Sequence, residues 1–575
     1  MWKYIKKYKG IFFVSLLSLL LVDFSQLLIP RIIGRIYDTL SEKGSFEFFF
    51  ISGLKIAGLG LSVFAFRFFW RIFLIRMSRK IERDIRESLF YKLLTFSQHF
   101  FGRWNTGDLM ARAINDINHI QRMFSFGIVS IFDAVVMGLM TLGFMVSYDL
   151  KFTLIAISPL TLLTFIVLFF EKRIHRLSVL VQNRFSRLST FVQEDFSGNF
   201  VLKSLNREEE EKKRFASVNR DYLEKNVQLG RIQALLHASI TFIIAISNVI
   251  VIYVGGKNVI RGVTTTGDLI AFLSYLNMMV WPMIAIGFAI NIHQRGRASL
   301  ERVEELTGYQ PIITDPPIPF ISEKKEETLS LQVKGLTFAF GSGTPVLKDM
   351  SFSIAPGETV GIIGRIGSGK STLVKLISRL LKTGDDTILF NGVDINRYRL
   401  NDLRALISYV PQEPFLFSTT IRENIAYYDN SLDDDAVFDA LRKADLLETI
   451  KEMPAGLDTS LGERGVNLSG GQKQRMTIAR AILKDAPFFI FDDSFSSIDT
   501  DTEERILTAL APIFRKKSVM IIAHRISTLR YADRILVLDE GTIVEEGTHQ
   551  ALLEARGAYY DIFNRQKLEE KLGRE

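Results

Sequence analysis

The sequence predicts two domains of different class. An all-α membrane domain of six helices with long cytosolic extensions is followed by an α/β domain built around a phosphate loop. Three observations carry that expectation. Six apolar stretches, each near the ~20 residues a bilayer requires, fill the first half of the chain. Pro311, Pro316, Pro317 and Pro319 then break any helical pattern. Beyond them, β-rich and helical runs alternate around Gly364-Arg365-Ile366-Gly367-Ser368-Gly369-Lys370-Ser371. At 575 residues the chain is too long for one ordinary core. A composition that is 47% hydrophobic and 23% charged fits a greasy half joined to an ordinary globular one.

The apolar stretches run Ile11–Ile29, Ile51–Ile75, Phe126–Val146, Phe152–Phe170, Leu235–Val254 and Leu269–Ile292. The third and fourth are parted only by Ser147–Lys151, which reads as a tight outer hairpin. The second-to-third and fourth-to-fifth connections are long and charged, so they read as helices that continue into the cytosol. Lys3, Lys6, Lys7 and Lys9 precede the first span, and Arg76, Arg79, Lys80, Arg83 and Arg86 follow the second. That clustering follows the positive-inside tendency. It places both termini on the cytoplasmic side of a multi-pass protein of the cell (inner) membrane. It also accounts for a net charge of +8 without a nucleic-acid partner; membrane lipid is the partner it implies. The expected division is 1–307 membrane domain, 308–328 linker and 329–575 nucleotide-binding domain. There is no cysteine, which excludes disulfides, thiol catalysis and Cys-based metal sites. The first apolar run is too long for a cleavable signal peptide. The charged tail Gln566–Glu575 reads as a fraying helix end without a separate task.

The phosphate loop follows the strand Val360–Ile363 and opens a helical run, Thr372–Leu381. Glycines let backbone N–H groups turn toward phosphate oxygens, and the helix N-terminus adds positive potential. Lys370 would reach the β- and γ-phosphates, and the Ser371 hydroxyl would sit on Mg²⁺. Further on comes the short run Leu468-Ser469-Gly470-Gly471-Gln472. The strand Phe488–Phe491 ends in Asp492-Asp493, and Ala523-His524-Arg525 follows the strand Val519–Ile522.

These motifs resemble the ABC exporter family along essentially the whole chain. The resemblance is closest to the degenerate-site subunit of a bacterial heterodimeric exporter of multidrug or lipid type. It implies ATP and Mg²⁺ as cofactors. ATP would be held by Phe340, stacking on adenine, by Gly364, Arg365, Ile366, Gly367, Ser368, Gly369, Lys370, Ser371 and Thr372, and by Gln412. Ser371, Gln412 and Asp492 would complete the Mg²⁺ shell, with Asp493 and His524 as catalytic groups. Leu468, Ser469, Gly470, Gly471, Gln472 and Asp499 would act on the nucleotide of the opposite domain, so the resemblance implies a dimer with a second, homologous chain. Thr106, Gly107 and Asp108, near Arg112 and Asp116, resemble the first coupling loop. Glu194 and Gly198, ahead of Val201-Leu202-Lys203, resemble the second. Gly462-Glu463-Arg464-Gly465 resembles the exporter-specific loop that meets them.

Phe340 stands where the family usually has Tyr, and Ser497-Ile498 where it more often has Ala and Leu, but the consequential departures lie at one place. Asp493 stands where the family carries Glu, and Ser494 and Phe495 replace a small Ala-Thr pair. Asp is one methylene shorter, and a displacement near 1 Å can cost ~10²-fold when orientation is the catalytic device. The resemblance therefore implies ATP-driven export of drug- or lipid-like molecules, with a slow site on this chain's phosphate loop. Its signature motif would complete the partner's competent site. A homodimer using Asp493 as its carboxylate, or an ATP-gated regulator or channel, are the alternatives. Charges inside spans are costly and therefore informative. Asp23 and Gln26 in the first span and Arg67 in the second read as a substrate cavity for a small-molecule cargo. Equally, Asp23 could pair with an arginine for structure alone.

Overall fold

The computed structural model describes residues 2–41, 44–321, 327–341, 343–427, 433–462 and 465–572. The chain divides into two compact units, one of Met1–Leu94 with Asn105–Tyr309, the other of Thr95–Trp104 with Gln310–Glu575.

The first unit holds six long helices, Lys9–Ser41, Phe46–Leu94, Thr106–Tyr148, Leu150–Ser197, Glu208–Ile260 and Thr266–Gly308, each with an apolar window able to cross a bilayer. Phe46–Leu94 has 49 residues, a length of ~74 Å at 1.5 Å per residue. The hydrocarbon core is ~30 Å thick, so such helices must continue well outside it. The hairpin between the third and fourth long helices is tighter than expected. Of Ser147–Lys151 only Asp149 leaves the helix, and its carboxylate caps the next helix by accepting from the Phe152 N–H at 3.0 Å. At the far end of the fourth long helix, Gly198 ends Leu150–Ser197, a short helix Asn199–Ser204 intervenes, and the chain restarts at Glu208.

Two polar contacts pin the last long helix. Its start, Thr265, closes a capping box with Asp268. Asp38 of the first helix accepts from the Gly267 N–H and the Thr265 hydroxyl, both at 2.7 Å. Backbones touch there: a Cβ on Gly267 would lie 2.0 Å from the Gly34 carbonyl oxygen. Close approach through small residues is the usual basis of helix association where water drives nothing. Nearer the other end, buried Asp116 accepts from Ser299 at 2.9 Å and from Arg302 Nε at 2.8 Å. It lies on a π-helical turn, Arg112–Asp116, and Arg112 donates to the Arg302 carbonyl at 2.7 Å.

The second unit contains two sheets. Strands β1 (Leu331–Phe338), β2 (Leu347–Ile354), β4 (Ile388–Phe390) and β5 (Val393–Asp394) form an antiparallel sheet ordered β2-β1-β4-β5. Strands β3 (Thr359–Gly364), β6 (Ile407–Val410), β7 (Phe488–Asp492), β8 (Ser518–Ile522), β9 (Arg534–Asp539) and β10 (Thr542–Gly547) form the other, ordered β10-β9-β3-β8-β7-β6. It is parallel from β9 to β6. β3, β7 and β8 are buried along their whole length, which explains their unbroken apolar runs.

The helix after the phosphate loop is shorter than the run Thr372–Leu381. It begins at Lys370 and ends at Ile377. Arg379 turns left-handed (φ +45°) and buries its guanidinium on the carbonyls of Ile395 at 3.1 Å and Tyr398 at 2.8 Å, which stops the helix early. The same guanidinium takes the Thr314 carbonyl at 3.0 Å, and the Phe320 N–H bonds Arg397 O at 2.7 Å. The proline segment is thus laced onto this unit up to Phe320; residues 322–326 of the linker lie outside the described residues.

Gly267→Val should cost about 3 kcal/mol by forcing two backbones apart, read as a lower unfolding temperature of the detergent-purified chain. Gly53→Val, where a Cβ meets nothing within 4 Å, should leave that temperature unchanged.

Candidate nucleotide site

Because β3, β8 and β7 are parallel neighbours, the loops that leave them emerge at one edge of the sheet. Those loops carry the phosphate-loop residues, His524 and the pair Asp492-Asp493. Gly369 turns with φ +97°, and a Cβ there would lie 2.5 Å from Leu347 Cδ2, so only glycine fits ahead of Lys370. The buried Lys370 ammonium donates to the carbonyls of Gly364 and Arg365, both at 2.8 Å. Burial pushes Lys370 below the ordinary lysine range, opposed by Asp493 and Asp492. The Ser371 hydroxyl donates to Asp492 at 3.3 Å, and the Tyr409 hydroxyl donates to its other oxygen at 3.3 Å. Burial raises Asp492, against those two hydrogen bonds, and burial also raises Tyr409. Gln412 Nε2 donates to Asp493 at 3.3 Å. Lys370, Ser371, Gln412, Asp492 and Asp493 are thus brought together, and the hydroxyl, amide and carboxylate oxygens are the hard donors that suit Mg²⁺.

Asp493 has a left-handed backbone, φ +48°, with its N–H on the Ile522 carbonyl at 2.8 Å. Its neighbours are well packed. The Ser494 hydroxyl donates to Val410 O at 3.0 Å, and Phe495 is buried 5.7 Å from the Phe491 ring. Phe340 is half exposed and meets Phe338 edge-on at 5.1 Å. Ile366, at the tip of the phosphate loop, is 92% exposed.

The signature segment is a helix start. The Ser469 hydroxyl accepts from the Gln472 N–H at 3.2 Å, and the Gln472 side chain accepts from the Ser469 N–H at 2.9 Å, a capping box opening Gly470–Lys484. Leu468 is buried, while Gly470 is exposed. Asp499 caps the helix Thr500–Phe514 through the Thr502 N–H at 3.0 Å. Of the loop before the signature, Glu463 and Arg464 lie outside the described residues.

One residue in this region was missed. Gln474, fully buried, donates to the carbonyls of Gln412 at 3.4 Å and Asp493 at 3.3 Å, and accepts from the Ser497 N–H at 3.1 Å. A single carboxamide thus ties the signature helix to the Gln412 strand end, the β7 end and the loop before Asp499. A buried glutamine one turn into a helix is the only signal the sequence offers, and it names no partner.

In the membrane unit, Thr106, Gly107 and Asp108 open the helix Thr106–Ala111 and are exposed. The Glu194 carbonyl accepts from the Gly198 N–H at 2.8 Å, closing the other turn, beyond which Phe200 and Val201 stand exposed. Asp23, Gln26 and Arg67 line one cavity of about 640 Å³ with Asp133 and Trp281. Gln26 accepts from Arg67 at 3.2 Å, and Asp133 accepts from Trp281 Nε1 at 2.6 Å. Asp23 shares this cavity with a second carboxyl, Asp133, and one of its oxygens has no hydrogen-bond partner among the described residues. Asp133 lies inside the third apolar stretch and could have been singled out as a charge within a span.

Gln474→Leu leaves the Ser497 N–H without its partner and the Asp493 carbonyl with the Ser496 hydroxyl alone. It should cost about 2–3 kcal/mol, measured as a drop in the unfolding temperature of the purified chain.

Comparison with known proteins agrees with this geometry. The ABC transporter transmembrane region matches residues 12–283, and the ABC transporter family matches residues 347–496. The chain is 36% identical over 562 residues to the probable multidrug resistance ABC transporter ATP-binding/permease protein YheI of Bacillus subtilis, covering 96% of this chain and 95% of that one. It is 35% identical over 514 residues to the ATP-dependent lipid A-core flippase of Syntrophus aciditrophicus, covering 88% and 84%. A solved structure of a bacterial Atm1-family ABC exporter with ATP bound superposes with a TM-score of 0.79 at 26% identity, covering 97% of this chain and 98% of that one. The chain belongs to the ABC transporter family, as a multi-pass, ATP-hydrolysing exporter that carries a membrane domain and an ATP-binding domain.

Proposed function

We propose that this chain is one subunit of a heterodimeric ABC exporter for small amphipathic, drug- or lipid-like molecules, and that its own phosphate loop forms the slower of two ATP sites. The observation that carries this is Asp493. It stands at the water-polarising position, one methylene short of Glu, and its carboxylate is within 3.3 Å of Gln412. The signature segment Leu468–Gln472, by contrast, is complete and capped. The relatives named for multidrug resistance and for lipid A-core flipping support the substrate class.

In this proposal Phe340 stacks on adenine, the Gly364–Thr372 loop and Lys370 hold the phosphates, and His524 touches the γ-phosphate. Ser371, Gln412 and Asp492 would hold Mg²⁺, which supplies charge neutralisation at the phosphate oxygens. Asp493 polarises water weakly because its oxygen falls short. Ser469, Gly470, Gly471 and Gln472, with Asp499, complete the partner's site. ATP binding closes the two cytosolic domains, and the turns at Thr106–Asp108 and Glu194–Gly198 pass that closure to the membrane helices. The cavity at Asp23, Gln26 and Arg67 receives the cargo, with both termini in the cytoplasm.

Gentle purification of the tagged chain from its host should bring a second ABC chain in equal amount, carrying Asp-Glu at the matching strand end by mass spectrometry. A stable, fast-hydrolysing dimer of this chain alone would overturn the proposal. In the assembled pair, Gly470→Asp should abolish most ATP turnover, whereas Asp493→Asn should reduce it far less; equal losses would contradict unequal sites. Asp493→Glu should raise turnover at this chain's site by ~10-fold or more, visible when the partner's own carboxylate is removed.

A further inference from the structure

The tail Gln566–Glu575, read as a helix end, continues a longer last helix, Ala558–Leu572, whose earlier turns are anchored. Glu545 on β10 fixes its start by accepting from the backbone N–H groups of Ala558 and Tyr559. Tyr559 is wholly buried, with its hydroxyl 2.7 Å from His549 Nδ1. Ile562 and Phe563 pack on the core behind the parallel sheet. Two turns on, the Gln566 carboxamide donates to the His524 carbonyl and accepts from the Ile526 N–H at 3.1 Å. One amide therefore clamps the backbone on both sides of Arg525, where β8 delivers His524.

The opposite side of the same loop is held independently. Arg525 donates to the Ile498 carbonyl at 3.0 Å, the Ser496 carbonyl at 3.2 Å and Glu503 at 3.2 Å. The histidine loop is thus suspended between the segment leading to Asp499 and the last helix.

We propose that Gln566 is a positioning residue for His524, setting the backbone from which the imidazole meets the γ-phosphate. This rests on the reading of His524 given above. The amide supplies both a donor and an acceptor in fixed register, which neither an apolar nor an acidic side chain reproduces at neutral pH. The last helix then acts as a brace on ATP recognition, and anything that lifts it from Glu545 and the core loosens the histidine.

The test uses the complete transporter as it purifies, in lipid discs. The quantities read are the dissociation rate of radiolabelled Mg-ATP and the affinity for Mg-ADP, which lacks the phosphate that His524 meets. Gln566→Leu and His524→Ala should each shorten ATP retention by about tenfold and leave ADP affinity unchanged. Together they should do no more than His524→Ala alone, because the two act through one contact. Gln566→Glu, which keeps the acceptor for Ile526 and loses the donor, should fall between wild type and Gln566→Leu; it serves as the second variant if Gln566→Leu does not fold. Additive losses, or equal losses of ATP and ADP, would assign Gln566 a merely structural role and overturn the proposal. An effect of His524→Ala without one of Gln566→Leu or Gln566→Glu would remove the proposal and leave His524 standing. An unaffected His524→Ala would remove both.

Discussion

The parallel register of β3, β8 and β7 is the constraint on which the nucleotide site depends. Parallel neighbours leave a sheet in the same direction, so their outgoing loops must gather at one edge. Lys370, His524 and the Asp492-Asp493 pair are therefore assembled by backbone hydrogen bonds before any side chain contributes. The register is held by strands buried along their whole length. A slip of one residue would turn Phe489 and Phe491 out of the core that they share with Leu507 and Phe514. Site geometry and core packing are enforced by the same pairing.

That constraint marks the boundary of what the sequence could reveal. The phosphate loop, the signature segment and the carboxylate pair were legible because each is a run of consecutive residues whose chemistry is local. The six apolar stretches were legible for the same reason. Strand order was not, since nothing in Val519–Ile522 announces that it lies between β3 and β7. Gln474 and Gln566 were invisible for a related cause. Each bonds backbone groups distant in sequence, and a backbone carbonyl carries no residue identity to search for. The helix end at Ile377 was missed because Arg379 stops it by reaching carbonyls at 395 and 398. Asp133 differs, because a charge inside an apolar stretch is a local signal.

The membrane unit pairs its polar groups by a different logic. Asp38 is spent on a helix start, where the Gly267 N–H and the Thr265 hydroxyl would otherwise be unsatisfied. Asp116 answers Arg302 and Ser299 between helices. Asp23 and Asp133 line one cavity, and the arginine beside them is engaged with Gln26. The first two arrangements satisfy every partner and read as structural. The carboxyl pair does not, and one oxygen of Asp23 is left without a hydrogen-bond partner. A buried polar atom without a partner costs about 1–3 kcal/mol, which singles this cavity out from the other charges in the spans.

The same arithmetic bears on Asp493. Its backbone is left-handed, a conformation that short polar side chains tolerate better than long ones, because Asp and Asn can satisfy themselves locally. Under the proposed role, extending the side chain to Glu would restore reach toward the γ-phosphate and lose that local ease, at a cost within the ~1–2 kcal/mol of a left-handed residue. The surrounding contacts favour the shorter residue further. Gln474 and Ser496 hold the Asp493 carbonyl, Ile522 holds its N–H, and Gln412 already meets its carboxylate. The end of β7 is therefore stiff, and a stiff backbone cannot move forward to recover a missing methylene. In the proposed pair this stiffness does no harm. Closure draws on ATP bound at both interfaces, while turnover draws on the carboxylate of only one, so rigidity that would cripple a lone hydrolytic site suits one that retains its nucleotide.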